Sequence, residues 1–391
     1  MALANAGFTV DAVCPSGHPL SKTGAPRQTH PYSGLNPLAS IEAGIAASSP
    51  DFLIPCDDLA TRQLHDVHQR AQNRGAAGTA VCKLIERSLG TPESFPVVYA
   101  RAAFMEMAQA EGVRVPRTGL VKNSTELRAW VARVGLPVVL KSNGSSGGEG
   151  VRIVQTAEDA MRAFRRLQAP PRLAQGVKRA LVDRDKTLLW PSILRSRWVV
   201  NAQEFVAGRE ATSLIACWKG TVLASLHFEV IHKLSPSGPA TVLRLIDNAE
   251  MANAAQKMAH RLGLCGFHGF DFMLEQTTGN AYLIEINPRT TQVGHLTLGQ
   301  GRDLPAALYA ALTGQAVQPA ARLTEKDAIV LFPGEWTRNP ESAFLRSGYH
   351  DVPWEEPDLV RAGLEKHRKL RRWYSQKKLE RAVGVVGVSH L

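Results

Sequence analysis

Short apolar runs recur along this chain, bounded by glycine, proline and charged residues. Leu136-Pro137-Val138-Val139-Leu140 and Val151-Arg152-Ile153-Val154 flank the polar stretch Lys141-Ser142-Asn143-Gly144-Ser145-Ser146-Gly147-Gly148-Glu149-Gly150. The runs predict two strands, and the stretch between them a loop. Phe267 to Leu274 and Ala281 to Ile286 form a second such pair, separated by the turn formers Glu275-Gln276-Thr277-Thr278-Gly279-Asn280. Phe8 to Val13 and Asp51 to Pro55 predict further strands, the latter followed by Cys56-Asp57-Asp58 and a helical stretch from Leu59 to Ala71.

The second pair reads as a hairpin. If it is symmetric, its centre falls at Thr278, which sets Asp271 opposite Glu285, with Asn287 two residues along on the same face. Facing carboxylates repel unless a cation lies between them or one is protonated. With the amide oxygen they make a hard-oxygen set suited to Mg²⁺, which takes few carboxylates plus phosphates and water. A solvated pair on a shifted register is the alternative, and the apolar neighbours Phe270, Phe272, Ile284 and Ile286 argue against it. In the first pair, glycines let backbone N–H groups approach a polyphosphate while Lys141 supplies a fixed charge. An ordinary Ser/Gly hairpin loop is the alternative there.

Together these motifs resemble the ATP-grasp superfamily over roughly residues 95 to 315. The resemblance implies an α/β chain built of α+β subdomains. Its parts are a Rossmann-like domain at 1–94, a small subdomain with the Gly-rich loop at 95–206, a large subdomain with the metal site at 207–320, and a basic helical extension at 321–391. It assigns Lys141, Gly144, Ser145, Ser146, Gly147 and Gly148 to the phosphates of ATP, and Asp271, Glu285 and Asn287 to Mg²⁺ or Mn²⁺. Arg289 matches a residue that commonly faces phosphate or substrate, and with Lys141 it forms the expected catalytic pair. The segment Trp198 to Glu210 is similar to the family's hinge, where Glu204, Phe205, Val206 and Glu210 meet adenine and ribose; a strand running into a turn at Gly208 is the alternative.

The chain departs from the family pattern at Ala100-Arg101, where an acidic-Lys pair is usual; Arg keeps the charge with a different shape. The first strand and Gly turn of a Rossmann-like domain are also missing, since Met1 to Gly7 reads as the end of a helix. A start placed too late, or a trimmed domain, is the expectation.

Composition excludes little. The 391 residues are 44% apolar, enough for a large core, and no apolar run approaches the ~18 residues of a membrane helix. Five scattered cysteines and the lack of a secretory leader point to the cytoplasm. The formal charge of +11 suits ATP and acidic substrates. Ten Lys/Arg against four Asp/Glu lie between Ala157 and Arg197, of which 172–197 reads as an insertion. Nine Lys/Arg against two Glu lie from Arg361 to Arg381, with Trp373 and Tyr374 among them. That tail is either a solvated helix end or a contact for nucleic acid or an anionic membrane.

The function implied by the resemblance is an ATP-dependent carboxylate-amine ligase, acting on a small acid and a small amine through an acylphosphate, in a homodimer. A bicarbonate-using carboxylating or carbamoyl-forming enzyme, or a non-catalytic ATP-binding scaffold, are the alternatives. For the acceptor pocket, His227, His232 and His295 are candidates.

Overall fold

The computed structural model describes residues 1–142, 150–169, 198–316 and 321–365. The loop residues Gly144, Ser145, Ser146, Gly147 and Gly148, the 172–197 segment and most of the basic tail therefore lie outside the described residues.

The N-terminal part opens with a one-turn helix α1 (Ala2–Asn5), as the Met1–Gly7 pattern predicted. The parallel strands β1 (Asp11–Cys14) and β2 (Gln28–Pro31) follow, then helices α2 (Pro37–Ser48), α3 (Asp58–Gln72) and α4 (Thr79–Leu89). Their core is Ile41, Leu64, Val67, Ile85 and Leu89. The run Asp51–Pro55 forms no strand: Leu53 N–H donates to the Ser88 hydroxyl, and the Pro55 carbonyl accepts from Thr290 N–H. Phe52 and Ile54 face the rest of the molecule instead, with Phe52 against Trp218 at 6.0 Å, while Leu53 joins the N-terminal core. A hydrophobic run alone does not distinguish a strand from a linker buried at such a contact.

Helix α5 (Arg101–Ala110) leads into a four-stranded antiparallel sheet of β3 (Thr118–Val121), β4 (Val138–Ser142), β5 (Val151–Val154) and β6 (Val200–Glu204), in the order β3-β6-β4-β5. Helices α6 (Ser124–Val134) and α7 (Ala157–Gln168) pack on it through Leu127, Trp130, Ala160, Phe164 and Leu167. The two apolar runs around the Gly-rich loop are thus β4 and β5, paired as read.

The larger sheet contains β7 (Gly208–Trp218), β8 (Thr221–Lys233), β9 (Ala240–Leu245), β10 (Gly266–Glu275) and β11 (Ala281–Asn287). Helix α8 (Ala249–Leu262) covers one face. Met251, Ala254, Ala255, Met258, Ala259 and Leu262 recur at helical spacing and are buried; Asn248 caps its start, and Gly263 ends it at φ 58°. Helix α9 (Leu304–Thr313) packs on the other face with Leu214, Leu226 and Phe228.

The sheet continues past residue 320. Strands β12 (Ala328–Leu331) and β13 (Tyr349–Asp351) extend it to the order β11-β10-β7-β8-β9-β12-β13, with helices α10 (Gly334–Arg338) and α11 (Phe344–Ser347) between them. The described part of the C-terminal extension is therefore built largely into the sheet rather than appended as a basic helix. Glu335, wholly buried, fastens it. This carboxylate accepts from Arg338 at 2.6 and 2.7 Å and from Thr241 at 2.7 Å, and lies 3.2 Å from His232 Nδ1. His232 is thereby accounted for structurally. No helix among the described residues is long and apolar enough to cross a membrane.

Candidate active site

The hairpin β10–β11 carries the acidic residues. Asp271 pairs directly with Glu285, and Gly269 with Asn287, as a centre at Thr278 requires. Nearer the turn the register moves by one, because Phe272 faces Leu283 and Ile284 is left as an extra residue. The bulge has a purpose readable from burial. It lets Leu283 and Ile286, three apart, both enter the core with Phe270 and Phe272, whereas strict alternation would put Leu283 on the face of Glu285 and Asn287.

The bulge also frees the Ile284 carbonyl, which lies 3.5 Å from Lys141 Nζ at the end of β4. The two sheets meet at this point. Lys141 is only 6% exposed, and burial lowers its pKa from 10.5 to about 8 against the opposing pull of Glu285. Burial likewise raises Asp271, from 3.8 to about 6, and the charge of Glu285 adds to the shift. Thr212 Oγ1 and Asn287 Nδ2, each donating to Asp271 at 2.9 Å, work against it.

Arg101, the residue that replaces the usual lysine, reaches Glu285 at 2.8 Å. Arg289 donates to Asp58 Oδ1 at 2.9 Å and lies 3.4 Å from Asn287 Oδ1. Asp58 stands in the first turn of α3, behind the cap formed by Asp57 on Ala60 N–H, so the N-terminal part delivers a carboxylate to the site. Thr61 Oγ1, donating to the Pro288 carbonyl at 2.9 Å, ties the same helix to the turn after β11.

In the stretch expected to form the hinge, Glu204 is held by Arg117 through two bonds of 2.9 and 3.0 Å, and Glu210 accepts from Lys233 at 2.5 Å. Val206 is buried and Phe205 half-buried. Gly208 opens β7 where a Cβ would sit 2.0 Å from the Leu274 carbonyl. Gly208→Ala is expected to lower the melting temperature, because β7 or β10 must shift to relieve that clash; a thermal unfolding scan checks it.

His227 does not join the site. It pairs with Ser213, the residue after Thr212, and so projects from the opposite face of the sheet to Asp271. Bonds to Ser213 and Ser225 hold it there, and burial lowers its pKa to about 4. His295 lies on the loop after Arg289, bonded to Asp351 of β13 at 2.8 Å.

Local sequence does not mark Thr212 or Asp58 as residues of the site. Register across three strands identifies Thr212. In the sequence Asp58 is only one of two adjacent acidic residues after the Asp51–Pro55 run, and its contact with Arg289 spans 231 residues.

Among the described residues no three or more His, Cys, Asp or Glu cluster as a metal site. Two carboxylates and an amide are nevertheless a donor set for a hard divalent cation that keeps water and phosphate oxygens as further ligands. Residues 100–299 match the family model described as "Carbamoyl-phosphate synthase L chain, ATP binding domain", which takes in Lys141, the hinge, the hairpin and Arg289. The chain belongs to this family. It is thereby an ATP-grasp protein, as the paired motifs suggested.

Among curated relatives, the carbamoyl phosphate synthase large chain of Thermus thermophilus is 25% identical over 292 residues, 72% of this ATP-grasp chain and 24% of that protein. The phosphoribosylamine–glycine ligase of Ralstonia nicotianae is 29% identical over 115 residues, 29% of this chain and 22% of that one. The chain spans about a quarter of the length of these relatives or less. A solved biotin carboxylase from Campylobacter jejuni superposes with a TM-score of 0.58 at 14% identity, covering 81% of this chain and 68% of the other. An N5-carboxyaminoimidazole synthetase from Staphylococcus aureus gives 0.57 at 14%, covering 81% and 74%. These two likenesses establish the ATP-grasp fold.

Proposed function

We propose that the protein is an ATP-dependent carboxylate-amine ligase. The observation that carries the reading is the convergence of buried Lys141 on the hairpin that pairs Asp271 with Glu285, with Arg101 and Arg289 at its edge. Lys141 and the 143–150 loop hold the β- and γ-phosphates of ATP, and the hinge residues Glu204, Phe205, Val206 and Glu210 receive adenine and ribose. Asp271, Glu285 and Asn287 hold Mg²⁺, or Mn²⁺, which when bound neutralises charge on the transferring phosphoryl group.

A substrate carboxylate oxygen attacks the γ-phosphorus, the bond to the β-phosphate bridging oxygen breaks, and ADP leaves. An amine nitrogen then attacks the acyl carbon of the acylphosphate, inorganic phosphate departs, and the amine proton passes to solvent or phosphate. No protein nucleophile is needed. Lys141 offsets the charge on the phosphates, and Arg289 steadies the acid once it is released from Asp58. The active unit is a homodimer in the cytoplasm, with a Rossmann-like N-terminal domain completing the acceptor side. The dimer named for the biotin carboxylase domain of the Hydrogenobacter thermophilus 2-oxoglutarate carboxylase supports that assembly.

The test is release of ADP and phosphate from ATP and Mg²⁺ with small acids and amines, alone and in pairs. Release that requires both and falls about 10²-fold or more in Glu285→Gln is expected. Release with bicarbonate alone would shift the reading to a carboxylating or carbamoyl-forming enzyme, which the carbamoyl phosphate synthase relatives favour as the second reading. Nucleotide binding without release under any pairing would overturn both.

A further inference from the structure

We propose that Arg101 is an internal stand-in for the divalent cation: it occupies Glu285 in the nucleotide-free protein, so the metal enters only in company with a nucleotide. The inference rests on reading the hairpin as a metal–nucleotide site, and it concerns the order in which that site fills.

Arg101 is the first residue of α5, where a cation faces the positive end of the helix dipole. The position has no side-chain cap either. Local preference therefore opposes an arginine here, and a tertiary contact must compensate. That contact is the 2.8 Å pair with Glu285, in which the arginine side chain is 15% exposed. A guanidinium stays charged across the whole accessible pH range, so it does not vacate the carboxylate by losing a proton.

Three further observations agree. Glu285 is one of the two carboxylates facing each other across the hairpin, and Arg101 pairs with it while Thr212 and Asn287 donate to the other, Asp271. Lys141, another cation at the site, bonds to the Ile284 carbonyl. Finally, Arg101 Nη1 is buried with no hydrogen-bond partner among the described residues. An orphaned donor on a guanidinium costs free energy unless something supplies an acceptor. A phosphate oxygen arriving at Nη1 does so, draws the guanidinium from Glu285, and leaves a carboxylate oxygen open to the ion carried by the same nucleotide. A free divalent ion brings no acceptor for Arg101 and must displace it unaided.

The experiment titrates the whole chain with Mn²⁺ alone, following loss of the free aquo-ion signal by electron paramagnetic resonance, and then with Mn²⁺–ADP. Wild type is expected to bind Mn²⁺ alone at least about tenfold more weakly than Arg101→Gln. Arg101→Lys should fall between them, since an ammonium makes a poorer fork to the carboxylate. The preference for Mn²⁺–ADP over Mn²⁺ should be larger in wild type than in Arg101→Gln. The gain should disappear in Arg101→Gln combined with Glu285→Gln.

Equal Mn²⁺ affinity in wild type, Arg101→Lys and Arg101→Gln overturns the proposal, as does a gain that survives loss of Glu285. A melting scan of each variant confirms that folded proteins are compared. Because binding is read without turnover, a protein that binds the metal–nucleotide complex but never hydrolyses it would refute the ligase reading and leave this inference standing.

Discussion

Replacing Lys141 by alanine is expected to cut turnover by about 10²–10³ while the protein remains folded. The side chain is buried at the meeting point of two sheets, its ammonium set against the bulged carbonyl of Ile284 and near the charge of Glu285. Steady-state rates under the conditions that give ADP release measure the loss, and circular dichroism checks the fold. Turnover within about twofold of wild type would remove Lys141 from the phosphate site.

The pH dependence follows from the same burial. With its pKa lowered to about 8, Lys141 is fully charged well below pH 8 and loses the charge as the pH rises through it. A rate term in kcat/KM for ATP that needs the cation should therefore be level at lower pH and fall above about 8 in the free enzyme. Lys141→Arg, which does not titrate there, should lack the descending limb even where its rate is lower.

The second large effect concerns stability. Glu335→Ala is expected to cost about 3–5 kcal/mol, because it leaves Arg338 and Thr241 without the acceptor around which they are packed. Urea unfolding at neutral pH measures it. Burial by itself would raise this carboxyl, but bonds from Arg338, Ser342 and Thr241 together outweigh it and lower the pKa from 4.5 to about 2. A depressed carboxyl contributes stability that is present above its unfolded value and lost as the pH falls through the folded one. The gap between wild type and variant should thus be full above pH 4.5 and shrink progressively toward pH 2. A gap unchanged at pH 3 would mean that Glu335 acts by packing alone. Loss of this anchor should also release β12 and β13 from β9, since α10 carries Glu335 between those strands.

Several elements were legible before any coordinate. The alternation in Gly269–Leu274 and the turn formers after it determine the hairpin, and counting outward from Thr278 places Asp271 against Glu285, because strand pairing is a local, period-two relation. The strands around the Gly-rich loop follow from apolar runs of strand length. Lys141 was legible as the strand-end charge beside that loop, though not the Ile284 carbonyl it meets, because a bulge is a compromise with the core that packs Leu283 and Ile286 together.

Partners distant along the chain were not legible at all. Asp58 on Arg289, Arg101 on Glu285 and Glu335 on Thr241 join residues whose local sequence carries no trace of one another. The same holds for the C-terminal strands: Ile329 and Tyr349 sit in a sheet begun more than a hundred residues earlier, while the resemblance placed them in an extension beyond the large subdomain. Periodicity reports which face of an element is buried, and so the sequence by itself determined the elements, the hairpin register and the chemical type of the site. Which element buries that face, and which charge neutralises which, depends on long-range packing and desolvation, and these only the tertiary structure decided.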